Sequence, residues 1–398
     1  MKNKVFIVAA ILAVAAMVWG MLGTIPASAE PTTRKIVVFK EGALNEPDRE
    51  ALVAKFGGIR VKNLDLIGAK VVLLSPKAEK VLKQHPAVLR IDDDIVVEAL
   101  IRGGIAAKKP APSQPAETLP WGIDRIDADL VWDTTTADTI KVAVVDTGID
   151  LSHPDLKDNI KGGYNAISPL KSANDDNGHG THVAGIIGAI DNTIGVIGVG
   201  PQIDLYSVKV LDRRGSGYLS DVIEGLDWAI ANGMQVVNMS LGTSADVQSF
   251  HEAVQRVNQA GIVQVAAAGN SSGAVIYPAA YPEVIAVSAT DNTDTIASWS
   301  SRGPEIDLAA PGVSIYSTYK GQTYKALSGT SMASPHVAGT VALVLTTIIG
   351  AYDSDGDGAW DPSEVQNKLQ MTAEDLGVSG YDTLYGYGLV DAEKAVIY

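Results

Sequence analysis

The sequence predicts an α/β protein, a parallel sheet flanked by helices on both faces, preceded by a small α+β module. From Thr118 onward, apolar segments such as "IKVAVVD", "DLYSVKVL", "MQVVNMSLG", "GIVQVAAAGN" and "VIAVSAT" alternate with amphipathic segments such as "YLSDVIEGLDWAIANG" and "DVQSFHEAVQRVNQAG". Continuous apolar runs between helices indicate strands buried on both faces, the condition of a parallel sheet. Ahead of Leu100 the elements are shorter. Between the two regions lies "IRGGIAAKKPAPSQPAE", Ile101 to Glu117, which lacks apolar periodicity and reads as an exposed linker.

In chain order, residues 1–29 carry a basic start, "MKNK", an apolar core, "VFIVAAILAVAAMVWGML", and the small-residue cleavage signal Ala27-Ser28-Ala29 before Glu30. This is the pattern of a secretory signal peptide. The apolar run is almost long enough to anchor the chain in a bilayer; the cleavage signal favours removal, giving an extracellular protein without membrane attachment. Over residues 30–100, "KIVVF", "GAKVVLL" and "AVLRI" are strand-like. The helix in "NEPDREALVAKFG" starts near Pro47 and ends at Gly57, and "PKAEKVLKQH" forms a second. The order β-α-β-β-α-β is that of a ferredoxin-like module. Residues 118–398 form the main domain.

Composition narrows the function. With 46% hydrophobic and 19% charged residues the chain can bury a real core. A net charge of −15 argues against nucleic acid as a partner and suits a protein that binds divalent cations. No cysteine is present, which excludes disulfides, thiol nucleophiles and cysteine zinc sites. An exported chain of this kind takes extra stability from packing or bound metal.

In an open α/β sheet, ligands meet the carboxyl ends of the strands. Asp146 follows the strand of "KVAVVDTGID", Ser240-Leu241-Gly242 ends another, and Gly269-Asn270 a third. His179 opens a helix in "NGHGTHVAGIIGAI", and Ser331 opens one in "SGTSMASPHVAGTVALVL". A serine hydroxyl needs a neighbouring base to become a nucleophile. Of the six histidines, His85 lies in the N-terminal module, and His153 and His251 have no second motif nearby. His182 and His336 follow at helical spacings, as structural residues do. His179 remains as the base, with Asp146 to orient it. The start of a helix at Ser331 offers N–H groups to a developing oxyanion, and Asn270 adds a side-chain donor. Alone, "DTG" is often a turn, "HGTH" lacks the glutamate and spacing of a zinc helix, and "GTS" can be a cap. Coincidence explains the three together poorly.

Residues 118–398 resemble the subtilisin-like serine proteases through "VVDTGID", "HGTHVAG", "GTSMASPH" and "YGYGLVDAEKAV". Residues 34–100 resemble the inhibitory propeptide of that family. The resemblance implies Asp146, His179 and Ser331 as the triad, Asn270 in the oxyanion hole, and Gly215-Ser216-Gly217 and Ser240-Leu241-Gly242 as strands that pair with substrate. Backbone pairing accepts many sequences and leaves selectivity to side-chain pockets. Ile276 stands where relatives carry a small pocket residue, so medium or small substrate side chains are expected over large aromatic ones. A self-processing precursor is implied, cut after Leu100 or, failing that, Ala99, with Val97 in a second pocket. Its own propeptide would act as chaperone and inhibitor, polypeptides would be the substrates, and a monomer is expected.

The resemblance also implies a calcium site formed by the Asp155 side chain, Asn192 and the carbonyls of Ile190, Ile194 and Val196. Glu117 stands where relatives carry a glutamine, and its carboxylate would raise the site's charge. A weaker site near Asp307, Ala279 and Tyr281 is a further expectation. A different loop is read from the residues alone. In "DSDGDGAWDPSE", Asp353, Asp355, Asp357, the Ala359 carbonyl, Asp361 and Glu364 fill positions 1, 3, 5, 7, 9 and 12 of a calcium loop, with Gly358 at the turn. Such loops normally come in pairs in sensors. Here a single loop joins two helices, and Asp361, Pro362 and Glu364 spell a helix start. A structural calcium staple is expected. A calcium-binding regulator without catalysis is the rival reading, which an intact Asp-His-Ser set disfavours; an N-terminal module that inhibits other proteases after release is compatible with the protease reading.

Overall fold

The computed structural model describes residues 30–101 and 114–398. The expected signal peptide and most of the expected linker lie outside the described residues. Residues 30–100 form strands β1 (Thr33–Phe39), β2 (Ile59–Leu64), β3 (Ala69–Leu74), β4 (Val88–Asp93) and β5 (Val96–Ala99), with helices α1 (Glu46–Lys55) and α2 (Pro76–Leu82). Both helices begin on local capping chemistry: Asn45 Oδ1 accepts from Asp48 N and Ser75 Oγ from Ala78 N, with proline in each first turn. The antiparallel sheet has the order β2-β3-β1-β4, and β5 leaves it for the main domain.

In the main domain the short helix α3 (Trp121–Arg125) precedes β6 (Lys141–Asp146), β7 (Ile160–Asn165), α4 (His179–Gly188), β8 (Asp204–Lys209), β9 (Ser216–Tyr218), α5 (Leu219–Ala231) and β10 (Val236–Met239). There follow β11 (Leu241–Gly242), α6 (Gln248–Gln259), β12 (Val263–Ala267), β13 (Ile285–Thr290), β14 (Leu308–Pro311), the hairpin β15 (Ile315–Tyr319) and β16 (Thr323–Leu327), α7 (Thr330–Val344), α8 (Pro362–Thr372) and α9 (Ala392–Ile397). Seven parallel strands run in the order β14-β13-β12-β10-β6-β8-β7. The chain winds outward from β6 in one direction and from β10 in the other. The carboxyl end of β6, where Asp146 sits, is therefore the switch point at which such sheets form crevices.

Successive β6 residues serve two cores. Val142 and Val144 pack on one face with α4 and α7, while Ala143 and Val145 pack on the other with α5 and α6. This is why strand and helix segments alike are apolar. All fifteen residues of α7 are buried. Among the described residues no helix is long and apolar enough to cross a membrane.

The N-terminal module caps two helices of the main domain. The residues preceding α5 and α6, Tyr218 and Val247, are poor caps. Asp94 instead accepts from Ser220 N and Oγ, both at 2.9 Å, and Asp92 from Ser249 N at 3.2 Å and Oγ at 2.5 Å. Lys62 reaches Asp221 and Glu224, each at 2.5 Å. The carboxylates thus meet orphan N–H groups at the positive ends of two helix dipoles.

Candidate active site

Asp146 leaves β6 with its carboxylate buried and bonded to His179 Nδ1 through both oxygens, at 2.8 and 2.9 Å. The close approach of α4 to β6 depends on Gly180. A Cβ there would lie 2.2 Å from the Gly148 carbonyl oxygen and 3.1 Å from the Asp146 side chain. Burial opposes a charge on His179, but the Asp146 carboxylate, with Asp175 behind it, holds the imidazole pKa above its ordinary value. Nε2 is buried and has no hydrogen-bond partner among the described residues.

Ser331 occupies the first turn of α7. Four residues on, Pro335 has no N–H to give the Ser331 carbonyl. Ser240 Oγ supplies the missing bond at 3.0 Å, and Ser331 Oγ in turn contacts the Ser240 carbonyl oxygen at 3.0 Å. A helix-breaking residue and a strand-end serine together hold Ser331.

Asn270 is oriented from below. Its Oδ1 accepts from Thr330 N at 2.9 Å and Thr330 Oγ1 at 3.0 Å, so Nδ2 faces the cleft. There it donates to the carbonyl oxygen of Leu100 at 2.7 Å, and Ser331 Oγ lies 2.5 Å from the same oxygen. Gly329 leaves room for this carbonyl, since a Cβ would stand 2.6 Å from it. β5 lies antiparallel between β9 and β11, with Val97 opposite Gly217 and Ala99 opposite Leu241. Ala99 N donates to Gly215 O at 2.9 Å and Leu100 N to Ser240 O at 3.2 Å. Ser216 faces Glu98 and Gly242 faces Glu98 from the other side. Ile276 crowds Gly242 and Gly269; Cβ atoms built on these glycines would lie 2.7 and 3.4 Å from its side chain. Val97 is fully buried, worth about 1.5–3 kcal/mol.

This arrangement can carry acyl transfer. Ser331 Oγ and the Asn270 amide both face the Leu100 carbonyl, as attack on a carbonyl carbon and uptake of its oxyanion require; among the described residues no hydrogen bond joins His179 Nε2 to Ser331 Oγ. Over residues 137–388 the chain matches the family model described as the subtilase family. The chain belongs to the subtilase family. It is 40% identical to Subtilisin J of Geobacillus stearothermophilus, across 94% of this chain and 93% of that one. Against Subtilisin Savinase of Lederbergia lenta identity is 46%, covering 70% of this chain and 99% of the relative. An alkaline protease of Shouchella clausii is 43% identical over 81% of this chain. This subtilase is a serine endopeptidase.

Several site residues carried no sequence expectation. Asp175 is the foremost. It is buried, and its carboxylate accepts from Thr147 Oγ1, Asn177 N, Gly178 N, Thr181 N and Thr181 Oγ1 at 2.6 to 3.1 Å. It is the cap of α4 that Gly178 cannot be. The signal was present: an aspartate stands four residues ahead of His179 in "DDNGHG". The other histidines sit as packed residues. His182 Nε2 meets the Ile315 and Lys325 carbonyls and His336 Nδ1 meets that of Met332, and burial pushes their pKa values down to about 3 and about 4.

The two calcium candidates differ in how completely they assemble. Asp155, Asn192 and Glu117 adjoin one another. Asn192 Nδ2 lies 2.7 Å from Asp155 Oδ1 and 3.1 Å from the Ile190 carbonyl, and Asn192 N donates to Glu117 Oε1 at 2.7 Å. Ile194 and Val196 turn their N–H groups to Asn192 Oδ1 and Asp155 Oδ2. Burial raises both carboxylates, Asp155 to about 6. In the acidic loop, carboxylate oxygens of Asp353, Asp355 and Glu364 lie within 4.8 Å of one another. Asp357 and Asp361 are turned elsewhere, to Ala359 N at 2.7 Å and to the start of α8 at 2.8 and 3.0 Å. Gly358 has φ of +78°, the left-handed turn that position needs. Asp307, expected near a weaker site with Ala279 and Tyr281, accepts from Ala286 N, Gln366 and Gln370 at 2.8 to 2.9 Å.

Proposed function

We propose that this subtilase is made as a secreted precursor that cuts itself between Leu100 and Ile101 and is then restrained by its released N-terminal module. In this reading Ser331 is the nucleophile, His179 the base, Asp146 its orienting partner and Asn270 an oxyanion donor. The single observation that carries it is the Leu100 carbonyl oxygen, 2.7 Å from Asn270 Nδ2 and 2.5 Å from Ser331 Oγ. The tail is seated as an extended strand between β9 and β11, the posture of a substrate acyl half. After the cut the same contacts would hold it as a product, with the helix caps at Asp92 and Asp94 keeping the module docked. Intact mass measurement tests the reading. The active chain should yield a fragment starting at Ile101, and Ser331→Ala should remain uncut there; a fragment starting at Ile101 from the purified mutant would assign processing to another protease.

Calcium is proposed as a structural ion at two places. The buried setting of the Asp155 carboxylate, with Glu117, Asn192 and the Ile190 carbonyl adjoining, fits a hard cation. The convergence of Asp353, Asp355 and Glu364 fits the same ion at the loop before α8. Bound there, calcium would supply charge neutralisation and fix the entry angle of α8. Extracellular release and a monomeric state complete the proposal.

A further inference from the structure

We propose that the Leu170–Lys171 bond is the site at which one copy of this enzyme first cuts the folded main domain of another. The inference rests on the endopeptidase activity and the tail-binding mode described above. Three observations meet at one loop. Leu170 is 102% exposed, the most exposed large apolar residue among those described. The four residues ending there, Ile167-Ser168-Pro169-Leu170, share with the tail seated in the cleft, Val97-Glu98-Ala99-Leu100, a β-branched first residue and a final leucine; Pro169 stands at the place of Ala99 and has no N–H for the Gly215 carbonyl. Leucine at the cut and a β-branched side chain three residues earlier are what the cleft holds in this structure.

The loop is also weakly held. Pro169 and Lys171 border a cleft of about 480 Å³ together with β7 and Leu151. Among the described residues it is shaped by the Lys171 N to Ser168 O bond, two Asn165 side-chain bonds, to Ser168 N and Ser172 O, and the bond from Asn174 N to Ser172 Oγ. Segments with few buried contacts open at low cost, and such openings are where proteases enter. A rival match, Val378-Ser379-Gly380-Tyr381, is pinned by carboxylates: Asp382 accepts from Val378 N and Asp375 from Gly380 N, and Tyr381 packs on Tyr387.

In the reaction, Ser331 Oγ of one copy bonds to the Leu170 carbonyl carbon of the other. The C–N bond to Lys171 breaks, and the Ser331 proton passes through His179 to the departing Lys171 amine. Water then hydrolyses the ester, leaving a Leu170 carboxylate and a new amino terminus at Lys171.

The test uses the full Ser331→Ala chain as substrate, digested by a trace of active enzyme and followed by mass spectrometry. The first cut within residues 118–398 should give fragments ending at Leu170 and starting at Lys171. Adding Leu170→Asp should slow loss of the intact domain about tenfold, while Leu170→Asp in the active enzyme leaves kcat/KM on a small peptide within twofold. A first cut elsewhere, such as after Tyr381, or an unchanged rate with Leu170→Asp, overturns the proposal. Heat-denatured Ser331→Ala chain separates the two failures: if it is cut and the native chain is not, this site alone is wrong; if neither is cut, the endopeptidase reading fails.

Discussion

Asn270 donates its side-chain amide to the Leu100 carbonyl oxygen at 2.7 Å, across 170 residues of sequence. Thr330 grips the other end of that amide through its N–H and its hydroxyl, so the donor is aimed before charge develops on the substrate. A donor fixed in advance costs no reorganisation during the reaction, which is why such groups dominate acyl-transfer catalysis.

Replacing it should therefore act on turnover. Asn270→Leu is expected to lower kcat by about 10²–10³ with little change in KM; the range is carried over from a subtilisin, a relative within this family. Steady-state kinetics on a peptide substrate check this, and a loss confined to KM would assign Asn270 to ground-state binding instead.

Asp175 should set the pH profile. Only neutral His179 can accept the Ser331 proton, so activity rises as pH climbs through its pKa, which lies above the ordinary 6.5. Asp175→Asn removes one of the charges that raise it. The acid limb of kcat/KM should move to lower pH. A purely structural role would lower the plateau and leave the limb in place.

Ile276 should govern side-chain choice. Its side chain lies against Gly242 and Gly269, at the place where the resemblance puts the primary pocket. Ile276→Gly is expected to raise kcat/KM for phenylalanine relative to leucine by about tenfold or more, since one or two methylenes in such a pocket are worth roughly 1–3 kcal/mol. A panel of peptides differing at that one residue reads the ratio.

The two caps should hold the module. Each N-cap is worth about 1 kcal/mol, so Asp92→Ala with Asp94→Ala should weaken inhibition by the separate module about thirtyfold. Inhibition constants measured in trans give this directly, and an unchanged constant would confine the module's hold to its tail.

The acidic loop should bear on stability and leave the chemistry alone. Glu364 also bonds Ser354 N and Asp361 N, so Asp353→Ala with Glu364→Ala lowers the melting temperature even without calcium. The informative quantity is the rise on adding calcium. An ion at 100 times its dissociation constant adds about 2.7 kcal/mol to the folded parent, and that increment should be lost in the double mutant. At a temperature where both are folded, kcat should stay within about twofold. A kcat that follows calcium while melting stays fixed would mark a sensor.

The sequence by itself determined the elements whose cause is local. Asp146 after a buried strand, Ser331 at a helix start and the alternation of apolar runs with amphipathic helices all follow from periodicity and capping within a dozen residues. β7, β14 and the β15–β16 hairpin carried no such mark: "IKGGYN" holds two glycines, and "LAAP" ends in proline. The strand state of β7 and β14 comes from neighbours, β8 and β13, that complete the backbone bonding, while β15 and β16 complete each other's. Tertiary structure alone decided that the Leu100 carbonyl lies beside Ser331, that Asp175 supports the helix of His179, and that Ser240 supplies the bond Pro335 withholds. It also turned Asp307 toward two glutamines of α8. Each of these is a pairing of polar groups that must be satisfied once buried, and the partner is set by which segments the packed core brings together rather than by their order along the chain.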